Sequence, residues 1–174
     1  MKRAAVLAVA FSAFALPAAQ AKTPLPAKPQ GAGSEPTAGG GVINGASFHA
    51  RSAIVQVDSA TGDVFVYVFS KKVGCRVISY SDAPYVWLWI HTNGTPLDVG
   101  KPLRTNGTVR FVQVNFVLSD HYIAVQPGVR LTFTRIDTRK SGVWHGRLTV
   151  GKQTVKGRAF SYGGTFAARW CGKA

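Results

Sequence analysis

The sequence predicts an all-β domain, a single antiparallel β-sandwich with a barrel as the alternative. From Ala46 onward the chain is a series of short runs rich in β-branched and aromatic residues, one of them Cys75–Tyr80. Turn dipeptides such as Asn93-Gly94, Gly151-Lys152 and Gly163-Gly164 separate these runs. No stretch of this part has the period of an amphipathic helix. Two of the runs are apolar on both faces and need cover from two sides, which favours the sandwich over the barrel.

The first 21 residues have the pattern of a cleaved signal peptide. Lys2 and Arg3 precede an apolar run over residues 4–16, and Ala19 and Ala21 supply the small residues that signal peptidase requires. The apolar run is too short for a stable transmembrane helix, and no later segment is a candidate span. We therefore predict a secreted or periplasmic protein with no transmembrane segment.

Residues 22–45 are rich in proline and glycine and nearly lack large apolar side chains. Such a segment buries too little surface to offset the entropy lost on ordering, so it is predicted to be a flexible linker. Its role stays open between a spacer and a tail without function. The folded domain is expected to cover residues 46–174.

The segment 84–91, PYVWLWIH, is predicted to be a central strand. Alternation places Tyr85, Trp87 and Trp89 on one face, opposite Val86, Leu88 and Ile90. We expect the rings to lie in the core between the sheets. The alternative is an exposed aromatic platform that stacks on a neutral sugar ring.

The chain is strongly basic, with 21 Lys and Arg against 7 Asp and Glu. Its formal net charge of +14 falls to +12 when Lys2 and Arg3 leave with the signal peptide. Such a charge favours attraction to polyanions. Strand alternation predicts that Leu131 and Phe133 face a core. It also predicts that one solvent-exposed face carries the cations Arg130, Arg147, Lys156 and Arg158. The alternative is that arginine and threonine simply suit a hydrated sheet face.

The two cysteines, Cys75 and Cys171, are predicted to form a disulfide because an even pair in an exported protein is most simply bonded. The spacing of the thiols suits no redox motif. A bridge over a loop of this length stabilises the fold by about 4–5 kcal/mol on the chain-entropy estimate.

The sequence contains little that suggests catalysis. The single Glu, Glu35, lies in the linker, and Asp120-His121 is the one pair of neighbouring acid and imidazole. Adjacent residues of a strand point apart, so this pair is not a ready dyad. We predict no metal site and no cofactor, because the four histidines lack the close spacings of metal ligands. They are His49, His91, His121 and His145.

The leading functional prediction is an exported, non-catalytic module that binds an anionic polymer or glycan of the cell envelope. Nucleic acid is disfavoured as a partner because of the compartment. One alternative is neutral-carbohydrate binding through Tyr85, Trp87 and Trp89. The others are a purely structural envelope protein and, least favoured, a hydrolase that uses Asp120 and His121.

Overall fold

A computed structural model describes residues 37–76, 78–105, 110–125 and 128–173. The predicted signal peptide and most of the predicted linker lie outside these residues. The described part contains one short 3-10 turn, Tyr80–Asp82, and eleven strands. The strands are β1 (Ala38–Ile43), β2 (Ala46–His49), β3 (Ser52–Val57), β4 (Val64–Phe69), β5 (Tyr85–His91), β6 (Pro102–Arg104), β7 (Phe111–Val117), β8 (Tyr122–Val125), β9 (Val129–Arg135), β10 (Val143–Val155) and β11 (Arg158–Lys173).

The strands form one sheet in the order β6-β9-β10-β11-β3-β4-β5-β7-β8, with β1 and β2 attached to β11. Antiparallel pairing joins β11 to β10 along one edge. The other edge of β11 pairs first with β1 and then, in parallel, with β3. The sheet folds over a core without closing into a barrel, so the predicted all-β, sandwich-like fold is confirmed.

The core lies between two halves of the sheet. Val66, Leu88 and Val114 from one half belong to the same buried cluster as Leu131 and Phe133 from the other. The Phe116 and Phe160 rings meet across it with centroids 5.4 Å apart. Each half therefore has one face against the core and one outer face.

The aliphatic side of β5 faces the core, and its aromatic side faces outward. Val86, Leu88 and Ile90 are fully buried, whereas Trp87 and Trp89 are only partly buried. The expectation that the rings fill the space between the sheets is therefore wrong. Both faces of this strand are apolar, so alternation alone does not decide which face turns inward.

Strand β1 lies in the glycine-rich stretch that the sequence predicts as linker. A Cβ atom on Gly41 would lie 2.0 Å from the Ser161 carbonyl oxygen, and one on Gly164 would lie 2.4 Å from the Gly39 Cα. The two backbones approach this closely because neither carries a side chain here. The ordered domain thus begins before Ala46.

Strands β10 and β11 form one long hairpin. Its turn is Lys156-Gly157, with φ angles of 47° and 74° that suit a two-residue hairpin turn. The predicted turns at Gly151-Lys152 and Gly163-Gly164 are wrong because both dipeptides lie within strands. The first of them coincides with a bulge between Val150 and Gln153.

Candidate functional site

An aromatic row crosses the outer face of β4, β5, β7 and β8. Its residues alternate with the buried aliphatic ones and therefore point away from the core. The strands of this half, β3, β4, β5, β7 and β8, contain no Lys, Arg, Asp or Glu. The outer face is thus neutral as well as aromatic. The row consists of Phe65, Tyr67, Trp87, Trp89, His91, Phe111 and Tyr122.

Residues 71–76 and 78–84 form a covering segment over one end of this face, where the sequence predicts a strand over Cys75–Tyr80. Its anchor is Asp82, which is 2% exposed. The carboxylate accepts a hydrogen bond from the Ser79 backbone N–H at 3.2 Å and another from the Arg76 guanidinium, and Lys71 Nζ lies 3.7 Å away. Burial alone would raise the pKa of Asp82, but these contacts outweigh it and lower that pKa.

A second anchor joins the covering segment to β11. Cys75 and Cys171 lie at disulfide-bonding distance, with Cα atoms 5.3 Å apart, in agreement with the predicted pairing. Below the segment, a small buried cluster of Ile54, Phe69, Tyr85 and Val117 packs against Val73 and Ile78. The segment therefore rests on apolar side chains of the outer face.

A pocket of about 250 Å³ lies between the covering segment and the strands. Tyr80 and Tyr122, which are 43% and 47% exposed, lie at its mouth, and Tyr85 is buried. Tyr67 and Trp87 are nearly parallel, with centroids 6.4 Å apart, while the Tyr122 ring stands almost perpendicular to Trp87 at 6.0 Å. The remaining lining residues are Ile78, Ser79 and Val117.

The pocket wall contains a donor without an acceptor. Trp87 Nε1 is buried and has no hydrogen-bond partner among the described residues. The same holds for Nδ2 of Asn115, the cross-strand neighbour of Trp87. Burial of such groups without a partner costs free energy.

Two of the pocket tyrosines, Tyr67 and Tyr85, are held in the neutral form. Burial raises the pKa of Tyr85 to about 12, and the neighbouring groups Tyr67, Tyr80 and Asp82 add to this effect. Burial also raises the pKa of Tyr67. Their hydroxyl groups are therefore protonated at physiological pH.

Trp89 belongs to the other end of the row, outside the pocket lining. Its Nε1 donates a hydrogen bond to Asp63 Oδ2 at 2.9 Å, and its ring stacks on His91 at 4.4 Å. His91 in turn stacks on Phe111 at 4.2 Å. Of the predicted platform, Tyr85 and Trp87 thus line the pocket, and Trp89 extends the row beyond it.

Sequence reasoning missed three rings of the pocket: Tyr67, Tyr80 and Tyr122. Alternation places Tyr67 on the aromatic face of β4, but it does not show that β4 pairs with β5 and so brings Tyr67 beside Trp87. Nothing local indicates that Tyr80 folds back over the sheet. Its position depends on the anchors at Asp82 and Cys75.

The register separates the four cations that the sequence places on one face. Arg130 and Arg147 do share an outer face. Lys156 lies in the hairpin turn. Arg158 is two residues from the buried Phe160 in β11, so it belongs to the inward side of that strand and is exposed only because it is next to the turn. The prediction of a single four-residue face is wrong because it treats this turn as part of a strand.

Asp120 and His121 are in contact, contrary to the expectation that they point apart. They lie in the exposed turn between β7 and β8, where strand alternation does not apply, and His121 Nδ1 is 2.6 Å from Asp120 Oδ1. Within the described residues, no cluster of three His, Cys, Asp or Glu side chains could hold a metal ion.

No helix in the described part of the chain is long and apolar enough to cross a membrane. The aromatic pocket lies on a fold in which Cys75 and Cys171 are paired. No protein-family model, curated protein or solved structure matches the chain.

Proposed function

We propose that this protein is an exported binding module that takes a neutral sugar residue in the aromatic pocket. The observation that carries the proposal is the convergence of five rings, Tyr67, Tyr80, Tyr85, Trp87 and Tyr122, around one open cavity of about 250 Å³. Aromatic faces pack against the C–H faces of a pyranose ring, and tyrosine hydroxyls bond its hydroxyls. A cavity of this size holds one such ring.

The charges around the pocket favour a neutral ligand over a cationic one. Aromatic cages also bind quaternary ammonium groups. Here, however, the carboxylate beside the pocket, Asp82, is paired with Arg76 and Lys71. The covering segment therefore presents no free negative charge to attract a cation, and its basic residues repel one.

Export is part of the same proposal. The basic and apolar pattern of residues 1–21 and the pairing of Cys75 with Cys171 support it, because disulfides persist in oxidising compartments. Secreted and periplasmic proteins meet envelope and extracellular polysaccharides directly. The sugar would then be a unit of such a polymer.

The first test is binding of the secreted chain to neutral oligosaccharides of β-linked glucose, xylose and N-acetylglucosamine, followed by titration calorimetry and tryptophan fluorescence. Tyr80→Ala and Tyr122→Ala should each weaken binding about tenfold, because each removes one exposed ring from the mouth. Both residues are exposed, so the variants should retain the fold.

Val99→Ala is the matched control, since Val99 is 54% exposed and does not line the pocket. It should leave the affinity unchanged, and Tyr122→Trp should retain binding. The proposal is wrong if no oligosaccharide of the panel binds, or if the two alanine variants bind as tightly as the parent chain.

A further inference from the structure

The two halves of the sheet differ completely in charge. The strands on the aromatic side contain no charged residue, whereas β6, β9, β10 and β11 contain only positive ones. These are Arg104, Arg130, Arg135, Arg147, Lys152, Arg158, Arg169 and Lys173. None of the eleven strands contains Asp or Glu, so the cations of this half have no carboxylate on neighbouring strands.

Three of these cations form what we call the arginine face. Arg104 and Arg130 are directly opposite each other in the register of β6 and β9. Arg147 lies on the next strand, opposite Thr132, and thus diagonal to Arg130. All three side chains are exposed. Positions directly opposite are about 5 Å apart and diagonal ones about 7–8 Å apart, so the three charges run obliquely over three strands.

The arginine face is unfavourable in the free protein. Like charges directly opposite in a sheet destabilise it. The side chains of Arg104, Arg130 and Arg147 form no ion pair or hydrogen bond within the described residues, although Arg110, Arg135 and Arg139 elsewhere each contact an aspartate. A set of cations placed together without counter-ions is the arrangement expected of a surface that binds a polyanion.

From this arrangement we infer that the arginine face binds an acidic polysaccharide, independently of the sugar pocket. Its charges lie on three neighbouring strands, so it suits the repeated carboxylate or sulfate groups of a chain better than one small anion. Thr132 and Thr149 lie beside the arginines in the register and offer hydroxyls to a glycan. Among the described residues, the outer positions of β6, β9 and β10 carry no Phe, Tyr or Trp on which nucleic-acid bases would stack, which disfavours a single-stranded nucleic acid.

The test compares two triple variants of the full secreted chain. One replaces Arg104, Arg130 and Arg147 with Ser, and the matched control replaces Lys152, Lys156 and Arg158 with Ser. Both variants lose three positive charges. A difference in binding between them therefore reports the position of the charges and not the net charge. The probe is polygalacturonate, with heparin as the sulfated probe and duplex DNA as the competing class, each over a salt series.

The arginine-face variant should bind polygalacturonate or heparin at low salt about 10–100-fold more weakly than the parent, and with a shallower salt dependence. The control should change by less than about threefold. Equal weakening of both variants would mean that net charge alone acts, and would overturn the inference. So would tighter binding of duplex DNA than of either polysaccharide through the same three arginines.

The unfolding midpoint of both triple variants shows whether they fold, and the single exposed change Arg147→Glu gives a second measurement if the triple does not. Neutral-oligosaccharide binding should be the same in all these variants. A variant that loses polyanion binding but keeps neutral-oligosaccharide binding tests this inference alone. A variant that loses neutral-oligosaccharide binding but keeps polyanion binding tests the proposed function alone.

Discussion

Asp63 shows how one buried carboxylate positions part of the aromatic row. Its Oδ2 accepts the Trp89 indole N–H at 2.9 Å, and its Oδ1 accepts the Thr92 backbone N–H at 3.0 Å. His91 Nδ1 lies 3.3 Å from the same carboxylate. The side chain therefore fixes the end of β5 and the orientation of the Trp89 ring together.

Replacing Asp63 by Ala should lower the free energy of unfolding by about 2–3 kcal/mol, because it leaves buried N–H donors without an acceptor. Chemical denaturation measures the loss, and tryptophan fluorescence reports the released indole. Asp120→Ala is the control, since that carboxylate is exposed, and it should change the stability by no more than about 0.5 kcal/mol. An Asp63→Ala variant as stable as the control would show that the carboxylate does not hold the row.

Tyr162 has a buried hydroxyl without a hydrogen-bond partner among the described residues, and burial raises its pKa to about 12. The Tyr162→Phe variant should therefore be about 1 kcal/mol more stable than the parent at neutral pH. Because the folded-state pKa lies above the ordinary 10.0, the parent should keep its full stability below that value. It should lose stability as the pH rises through about 12.

Urea unfolding over an alkaline pH series measures this pH dependence. Over that series the free energy of unfolding should fall less in Tyr162→Phe than in the parent. Tyr122→Phe removes an exposed hydroxyl and should show neither effect. A destabilised Tyr162→Phe variant would indicate that the hydroxyl has a partner in solution.

At the scale of elements, the covering segment determines the shape of the pocket. It supplies Ile78, Ser79 and Tyr80 to the lining, yet it contains no strand and is held by Asp82 and the Cys75–Cys171 pair. Substitution of Asp82 or Cys75 should therefore change the shape of the pocket, although neither residue lines it.

Asp82→Ala should lower the free energy of unfolding by about 1–3 kcal/mol and weaken oligosaccharide binding through the misplaced Tyr80. The folded-state pKa of Asp82 is lowered, so its contribution is present above the ordinary pKa of 3.8 and is lost as the pH falls through the folded value. Comparing the unfolding free energies of parent and variant from neutral to acid pH measures it, because the difference should shrink towards acid.

Lys72→Ala, an exposed change on the same segment, should alter neither property. If Asp82→Ala leaves both oligosaccharide binding and stability unchanged, the covering segment is held by its apolar contacts and the cysteine pair alone.

The elements also show how far the sequence could predict this fold. Strand β9 alternates apolar and polar residues, and its predicted core residues, Leu131 and Phe133, are indeed buried. In β5 both faces are apolar, so only the tertiary partner decides which one turns inward. Glycine was interpreted as a sign of turns, but at Gly41 and Gly164 it permits the close approach of two strands.

The candidate site was less predictable than the strands, because it too depends on contacts between distant parts of the chain. Alternation finds neighbours along one strand, and it gave Tyr85 and Trp87. Alternation contains no information on which strands are adjacent. It therefore missed the pairing of β6 with β9, which adds Arg104 to the arginine face. It also could not bring Tyr80 to the pocket, because the anchoring contacts join residues far apart in the sequence.

At the scale of the whole molecule, the segregation of charge makes the two outer faces suitable for different kinds of partner. The aromatic face suits a neutral ring, and the arginine face suits a chain of negative charges. Each half of the sheet uses its inner side for the common core, so the two outer faces point away from each other. A polysaccharide bound on the arginine face would therefore leave the sugar pocket open to a second chain.

The position of β11 between β10 and β3 also determines when the fold becomes complete. Ala53 in β3 pairs with Ala168 in β11, so the link between the two halves joins residues far apart in the sequence. Contacts of this range form slowly, because a long loop must close first. Until β11 is in place, β3 has an unpaired apolar edge, which is a site for aggregation. The nascent chain therefore remains open along this edge of β3 until β11 is available, which would suit the export proposed above.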